Sequence, residues 1–270
     1  MEQVGLNKGM RVVYLSHGGG PMPLLGDPSH DELVGTLKDI AQAIEKPAAI
    51  IVVSAHWEAS QATITSATEP ELIYDYYGFP PESYQIQYPA KGSPELALAL
   101  EKTFHDHGVA VALDEHRGFD HGVFVPLKIM FPDADIPCIQ VSLVKGLDPE
   151  EHIKIGEAIA ELNIPNLLVI GSGFSFHNMR EFFAPNTHDT IAKNQAFESW
   201  LIETCSDDSL TYAAGKQRLM DWSHAPGARF CHPREEHLLP LHTCYGVAQG
   251  PANKVYELHV LGKKASAYLW

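Results

Sequence analysis

Fifteen histidines are spread over the 270 residues, and five of them stand where chemistry is easily done. His17 follows the apolar run "RVVYLS" and precedes "GGGP", glycines that let backbone and ligand come close. His56 follows "AAIIVVSA", and His177 comes soon after "NLLVIGSG", so each lies past a candidate strand. His121 sits in "RGFDHGVF", where the glycines on either side read as a tight turn. His237 opens a stripe with Leu238, Leu241, Tyr245 and Ala248 at helical spacing, and Pro240 marks a helix boundary or kink nearby. Any one of these histidines alone reads as a packed core or turn residue. Five in such places point to a metal ion or a substrate, around which neutral imidazoles converge.

The other histidines read more plainly. His105 and His107 end a helix, where imidazolium suits the dipole. His30 and His152 lie near helix starts and are expected to be exposed. His188 and His224 fall in polar segments, and His259 in a C-terminal strand. His116, His232 and His242 flank candidate site residues and stay unassigned.

Short β-branched runs alternate with helix-period segments, and these elements must position the histidines. Residues 11–16, 48–55, 109–113, 136–144 and 166–173 read as strands, several apolar enough to be buried on both faces. The helices open on clear signals: Ser93 and Pro94, Asp148 and Pro149, "SHDELVGTLKDIAQAI", and "HDTIAKNQAFESWLIETC". The pattern predicts a single α/β domain over residues 1–270, a sandwich with a central, mostly parallel or mixed sheet flanked by helices. In an open sheet of this kind ligands collect beyond the carboxyl ends of the strands. Residues 74–94, "YDYYGFPPESYQIQYPAKGSP", are too irregular for a core element, and a loop of that length in a compact domain is more often functional.

A formal charge of -15 argues against binding to nucleic acid or anionic lipid. The N-terminal stretch lacks the pattern of a secretion signal, and no apolar run approaches the roughly 18 residues that span a bilayer. Cys138, Cys205, Cys231 and Cys244 lie far apart, which fits neither a zinc knuckle nor a disulfide framework. A cytoplasmic protein is expected.

The ordered set "LSHGGGPM", "VVSAHW", "YYGFP…YPAKGSPELA", "GFDHGVFVPLKIMFPDADIPCIQVSL", "GSGFSFHN" and "EEHLLPLH" resembles the class III extradiol ring-cleavage dioxygenases, in the branch named for 4,5-DOPA extradiol dioxygenase. The resemblance covers about residues 11 to 248 and implies a non-haem metal site that opens a catechol with O₂. By that resemblance His17, His56 and His237 match metal-binding positions, His177 an acid/base, and His121 a histidine near the substrate oxygens. Fe(II) is the ion expected for activity, with Zn(II) possible as the bound ion. The first motif departs from the family's usual H-G-S-P, since "HGGGP" inserts a residue and lacks the serine hydroxyl.

The third metal position has two candidates. His237 would give three neutral ligands, which zinc accepts readily, whereas Glu236 would give the two-histidine, one-carboxylate triad suited to Fe(II). One residue step turns a helical side chain by about 100°, so both do not face one ion, and the apolar stripe favours His237. Trp57, Tyr77 and Asp120 are candidates for substrate contact. Each has a plainer reading: strand-end packing for Trp57, pinning of a loop for Tyr77 and its neighbours Tyr74 and Tyr76, a turn cap or a histidine-orienting acceptor for Asp120. Ser172 and Asn178 either polarise the site or satisfy local backbone groups. Two other function classes remain open at this point: a zinc hydrolase using activated water, and a non-catalytic interaction module on the same fold.

Overall fold

The apolar runs pair into one eight-stranded sheet in a computed structural model that describes residues 9–270. The first eight residues, part of the N-terminal stretch read against a secretion signal, lie outside the described residues. The strands are β1 (Arg11–Ser16), β2 (Ala49–Ala59), β3 (Ala62–Thr65), β4 (Val111–Asp114), β5 (Cys138–Val144), β6 (Leu167–Gly173), β7 (Lys254–Val260) and β8 (Lys263–Leu269). Their order across the sheet is β4-β3-β5-β2-β6-β1-β8-β7. The β5-β2-β6-β1 centre is parallel, and so is β3 with β4. Antiparallel pairing joins β3 to β5, β8 to β1 and β7 to β8, so the sheet is mixed.

Helices α1 (Asp31–Ala43), α2 (Pro94–Asp106), α3 (His121–Met130), α4 (Pro149–Ala160), α5 (Met179–Phe182), α6 (His188–Ser206), α7 (Tyr212–Met220), α8 (Ala228–Cys231) and α9 (Leu239–Ala248) surround the sheet. Every residue of β5 and β6 is buried, so both faces of the sheet are covered and the described residues form one α/β domain. The caps behave as their residue types require: Ser93 accepts from Leu96, and Asp148 from Glu150 and Glu151. All four cysteines are buried and free. Among the described residues no helix is long and apolar enough to cross a membrane.

Several sequence expectations need correction. His121 is not in a tight turn but is the first residue of α3, because Asp120 and the apolar run after it start a helix. His237 lies in the turn before α9 rather than on it, since Pro240 sits in that helix's first turn. His30 and His152 are buried, not exposed. Each side chain folds back on local backbone: His30 Nε2 accepts from Gly19 N–H (3.0 Å) and His152 Nε2 from Val144 N–H (3.1 Å). The run at 109–113 pairs only from Val111, and the strand at 48–55 extends to Ala59.

Candidate active site

Three neighbouring parallel strands, β2, β6 and β1, run to one edge of the sheet and carry His56, His177 and His17 there. His56 lies within β2, not past its end. The pairing of β2 with β5 shifts register between Val53 and Glu58, and such an irregularity re-aims side chains at a sheet rim. The backbone around His56 is held from behind: its N–H is donated to Ser54 Oγ (3.2 Å), and Arg117 Nη2 donates to its carbonyl (3.3 Å). His237 reaches the same edge because glycine lets its chain approach. A Cβ on Gly173 would sit 2.1 Å from the His237 carbonyl oxygen. That carbonyl accepts from Phe174 N–H (3.0 Å) and the Tyr14 hydroxyl (3.1 Å).

The five histidines singled out from sequence all meet here. His17 Nε2 and His56 Nε2 are 2.9 Å apart, and one ligand atom each from His17, His56 and His237 falls within 4.8 Å of the others. The His121 ring centroid is 3.9 Å from that of His56, and His177 stacks on His237 at 3.4 Å. Burial first, and neighbouring imidazoles second, hold His17, His56 and His237 well below the ordinary histidine pKa. Neutral imidazoles are what a cation requires of its ligands.

Hydrogen bonds set which nitrogen of each ring is bare. The Ser172 hydroxyl donates its only hydrogen to the Gly122 carbonyl, so at 3.1 Å its oxygen accepts from His17 Nδ1–H. His17 Nε2 is therefore an open lone pair. Glu236 Oε1 lies 3.0 Å from His237 Nδ1 and 3.2 Å from His177 Nδ1, and so accepts from both. Burial acts to raise the Glu236 pKa, but the bond and charge of His177 overcome it and leave a carboxylate below its usual range. The open nitrogens of the buried His17 and His237, with the half-buried His56 beside them, fit a divalent cation, while Glu236 is engaged in orienting two of the rings.

The remaining candidates divide differently. The Asp120 carboxylate is fully buried and its hydrogen bonds go to no histidine. It accepts from Ser54 Oγ (2.7 Å), Arg117 Nη2 (3.1 Å) and Gln140 Nε2, and it makes no side-chain cap. Burial, then the nearby Asp75 charge, raises its pKa. Trp57 is buried under the Arg117 guanidinium at 4.7 Å, which is packing. Neither residue is among those lining the cavity; together they brace the strand that carries His56. Tyr77 does line the cavity, at its mouth. Asn178 caps α5 and donates to the Phe230 carbonyl, a local role.

Two residues that sequence reasoning passed over belong to the site. Asp75 Oδ1 accepts from His121 Nδ1–H (2.7 Å) and from the His121 backbone N–H (3.0 Å), and Oδ2 lies 3.6 Å from His56 Nδ1. Burial acts to raise the Asp75 pKa, and the His121 bonds and charge pull it below the usual range. Its signal was its place between tyrosines in the irregular 74–94 loop. His30 holds the "GGG" loop through Gly19 while Asp27 accepts from its Nδ1 (3.0 Å). Around these groups opens a cavity of about 460 Å³, floored by the histidines and walled by Phe79, Phe174, Phe182 and Leu261.

A protein-family model described as the catalytic LigB subunit of aromatic ring-opening dioxygenase matches residues 11–265. The dioxygenase tasH of Hapsidospora irregularis is 39% identical over 96% of this chain and 85% of its own length. The 4,5-DOPA dioxygenase extradiol of Beta vulgaris is 38% identical over 91% of this chain and 89% of its own. A crystal structure of an uncharacterized protein from Escherichia coli K12 superposes with a TM-score of 0.74 at 25% identity, covering 96% of this chain and 99% of that one. The chain belongs to the LigB family of aromatic ring-opening dioxygenases, metal-dependent non-haem enzymes of the extradiol type.

Proposed function

We propose that the protein opens the ring of a substituted catechol with O₂ using iron(II) held by His17, His56 and His237. The observation that carries this reading is the convergence of three neutral imidazoles, those of His17 and His237 buried and that of His56 half-buried, two of them with Nδ1 already donating to Ser172 or Glu236, at the carboxyl edge of the sheet. When bound, iron(II) supplies the redox capacity to couple an aromatic diol to dioxygen, which zinc lacks. A zinc-loaded protein is then correctly folded and inactive. His237 is favoured over Glu236 as the third ligand because Glu236 Oε1 already accepts from both His177 and His237.

The protein's own groups manage protons and orientation. His177 keeps its Nδ1–H on Glu236, so Nε2 is the atom that takes a proton from a catechol hydroxyl. His121 keeps Nδ1–H on Asp75 and offers Nε2 to a substrate oxygen. The cavity's aromatic walls exclude water from the ring.

Anaerobic reconstitution with Fe(II), followed by a panel of catechols and O₂, tests the reading. Oxygen uptake with a yellow ring-opened product is expected; neither signal with any catechol overturns it. Alanine at His17, His56 or His237 is expected to abolish bound metal, while Glu236→Ala retains stoichiometric metal at weakened affinity. Metal kept by His237→Ala and lost by Glu236→Ala reverses the ligand assignment.

A further inference from the structure

The mouth of the cavity is apolar in a way the chemistry of ring opening does not require. Tyr77 is 92% exposed, Phe183 81% and Met179 57%, and all three line this one opening. They arrive from separate segments, the 74–94 loop and the two ends of α5. The other exposed large hydrophobic side chains among the described residues, Tyr84, Leu98 and Ile191, are each less exposed, and none lines this cavity. Single exposed apolar side chains are ordinary; three at the rim of a cavity with Phe174 and Phe182 inside mark a surface that something apolar covers.

Charge points the same way. Among the described residues no lysine or arginine lines the cavity, and Arg180, between Met179 and Phe182 in sequence, is exposed and outside the lining. Arg117 and Arg234 are engaged by Asp120, Glu58 and Glu236. The acidic group in the lining, Asp75, is turned to His121. A carboxylate on the substrate would enter a wall with no counter-charge, which is unfavourable once water is excluded.

We propose that the ring substituent is uncharged and apolar, an alkyl, alkenyl or aryl group lying along Phe174 and Phe182 and leaving between Tyr77, Met179 and Phe183. This rests on the catechol reading above and deepens it. Each methylene that moves from water onto these walls raises affinity about fourfold until the chain passes the mouth.

The test measures anaerobic binding and, separately, kcat/KM by oxygen uptake, for catechol and its 3- and 4-methyl, ethyl and propyl derivatives. Protocatechuate, 3,4-dihydroxyphenylacetate, DOPA and dopamine are the charged comparisons. Affinity is expected to climb along each alkyl series, with the charged compounds about tenfold or more below propylcatechol. Phe183→Ser should flatten the last steps of the series, and Phe183→Arg should shift preference towards 3,4-dihydroxyphenylacetate. A flat alkyl series, charged catechols bound as well as propylcatechol, or an unaltered series in Phe183→Ser overturns the proposal. So does a dimer in sedimentation that Phe183→Asp dissociates, because the rim then belongs to a second copy. Graded alkyl binding without oxygen uptake supports the apolar substituent and counts against ring cleavage instead.

Discussion

Replacing Ser172 by alanine tests the chain of hydrogen bonds that prepares His17. Helix α3 carries Pro126 in its interior, four residues after Gly122. Proline has no N–H, so the Gly122 carbonyl lacks its helical donor, and the Ser172 hydroxyl supplies one from β6. Having spent its hydrogen there, Ser172 can only accept from His17, which fixes the His17 proton on Nδ1 and leaves Nε2 bare beside His56. A helix proline thus dictates the tautomer of a metal-binding candidate on another element.

Both Ser172 and His17 are buried. A buried polar group stripped of its partner costs about 1–3 kcal/mol. In Ser172→Ala, His17 can escape that cost by moving its proton to Nε2, the atom a metal needs. The metal-competent tautomer is then disfavoured by about 1–3 kcal/mol, which weakens metal binding about 5- to 150-fold. Titration of metal-free protein against a chromophoric chelator with Zn(II) reads this directly, and thermal melting of the same samples reports folding. Ser172→Thr, which keeps the hydroxyl, should recover most of the affinity. Adding Pro126→Ala to Ser172→Ala gives Gly122 a helical donor again, so it should restore stability without restoring metal affinity. Metal affinity within about twofold of the parent in Ser172→Ala, alongside a lowered melting temperature, refutes the tautomer argument.

Three further outcomes follow from the same geometry. His177→Gln should lower kcat about 10²- to 10⁴-fold with metal content unchanged, and metal loss on direct analysis would make His177 a ligand instead. Gly173→Ala forces a Cβ against the His237 carbonyl and should cost about 1–3 kcal/mol in stability; undisturbed metal binding would show that β6 does not set the position of His237. Glu198 is fully buried on the Ser266 hydroxyl (2.6 Å), and burial pushes its pKa from 4.5 to about 7. Because the folded value is the higher, stability is full below about pH 4.5 and falls by about 3 kcal/mol as pH rises to about 7. Glu198→Gln should remove that slope in urea unfolding across pH 4 to 8, and an unchanged slope assigns it to other groups.

Local signals carried much of the fold in the sequence. "RVVYLS" is β1 to the residue, and the Ser-Pro and Asp-Pro starts are the starts of α2 and α4, because caps and fixed φ angles act over three or four residues. Three of the five histidines, His17, His56 and His177, were legible for a related reason: neighbouring parallel strands deliver what they carry to one edge of the sheet. What escaped depends on contacts distant in sequence. Nothing near His56 shows that β2 continues through it, since the register shift exists only against β5. β3, at four residues, carries too little pattern to read as a strand.

The acceptor for His121 makes the point most sharply. Sequence adjacency offered Asp120, but at the start of α3 that carboxylate turns inward to Ser54, Arg117 and Gln140, and the site draws on Asp75 from 46 residues away. The two acids divide the work by environment. Asp120, fully buried and raised in pKa, braces the backbone that carries His56; Asp75, at the cavity and held ionised, orients the imidazole of His121, which lines the cavity. Exchanging their roles by Asp75→Asn should therefore change kcat far more than melting temperature, and Asp120→Asn the reverse. Equal effects on both quantities from either substitution would mean that the two acids belong to one structural network, and that Asp75 has no separate claim on the chemistry.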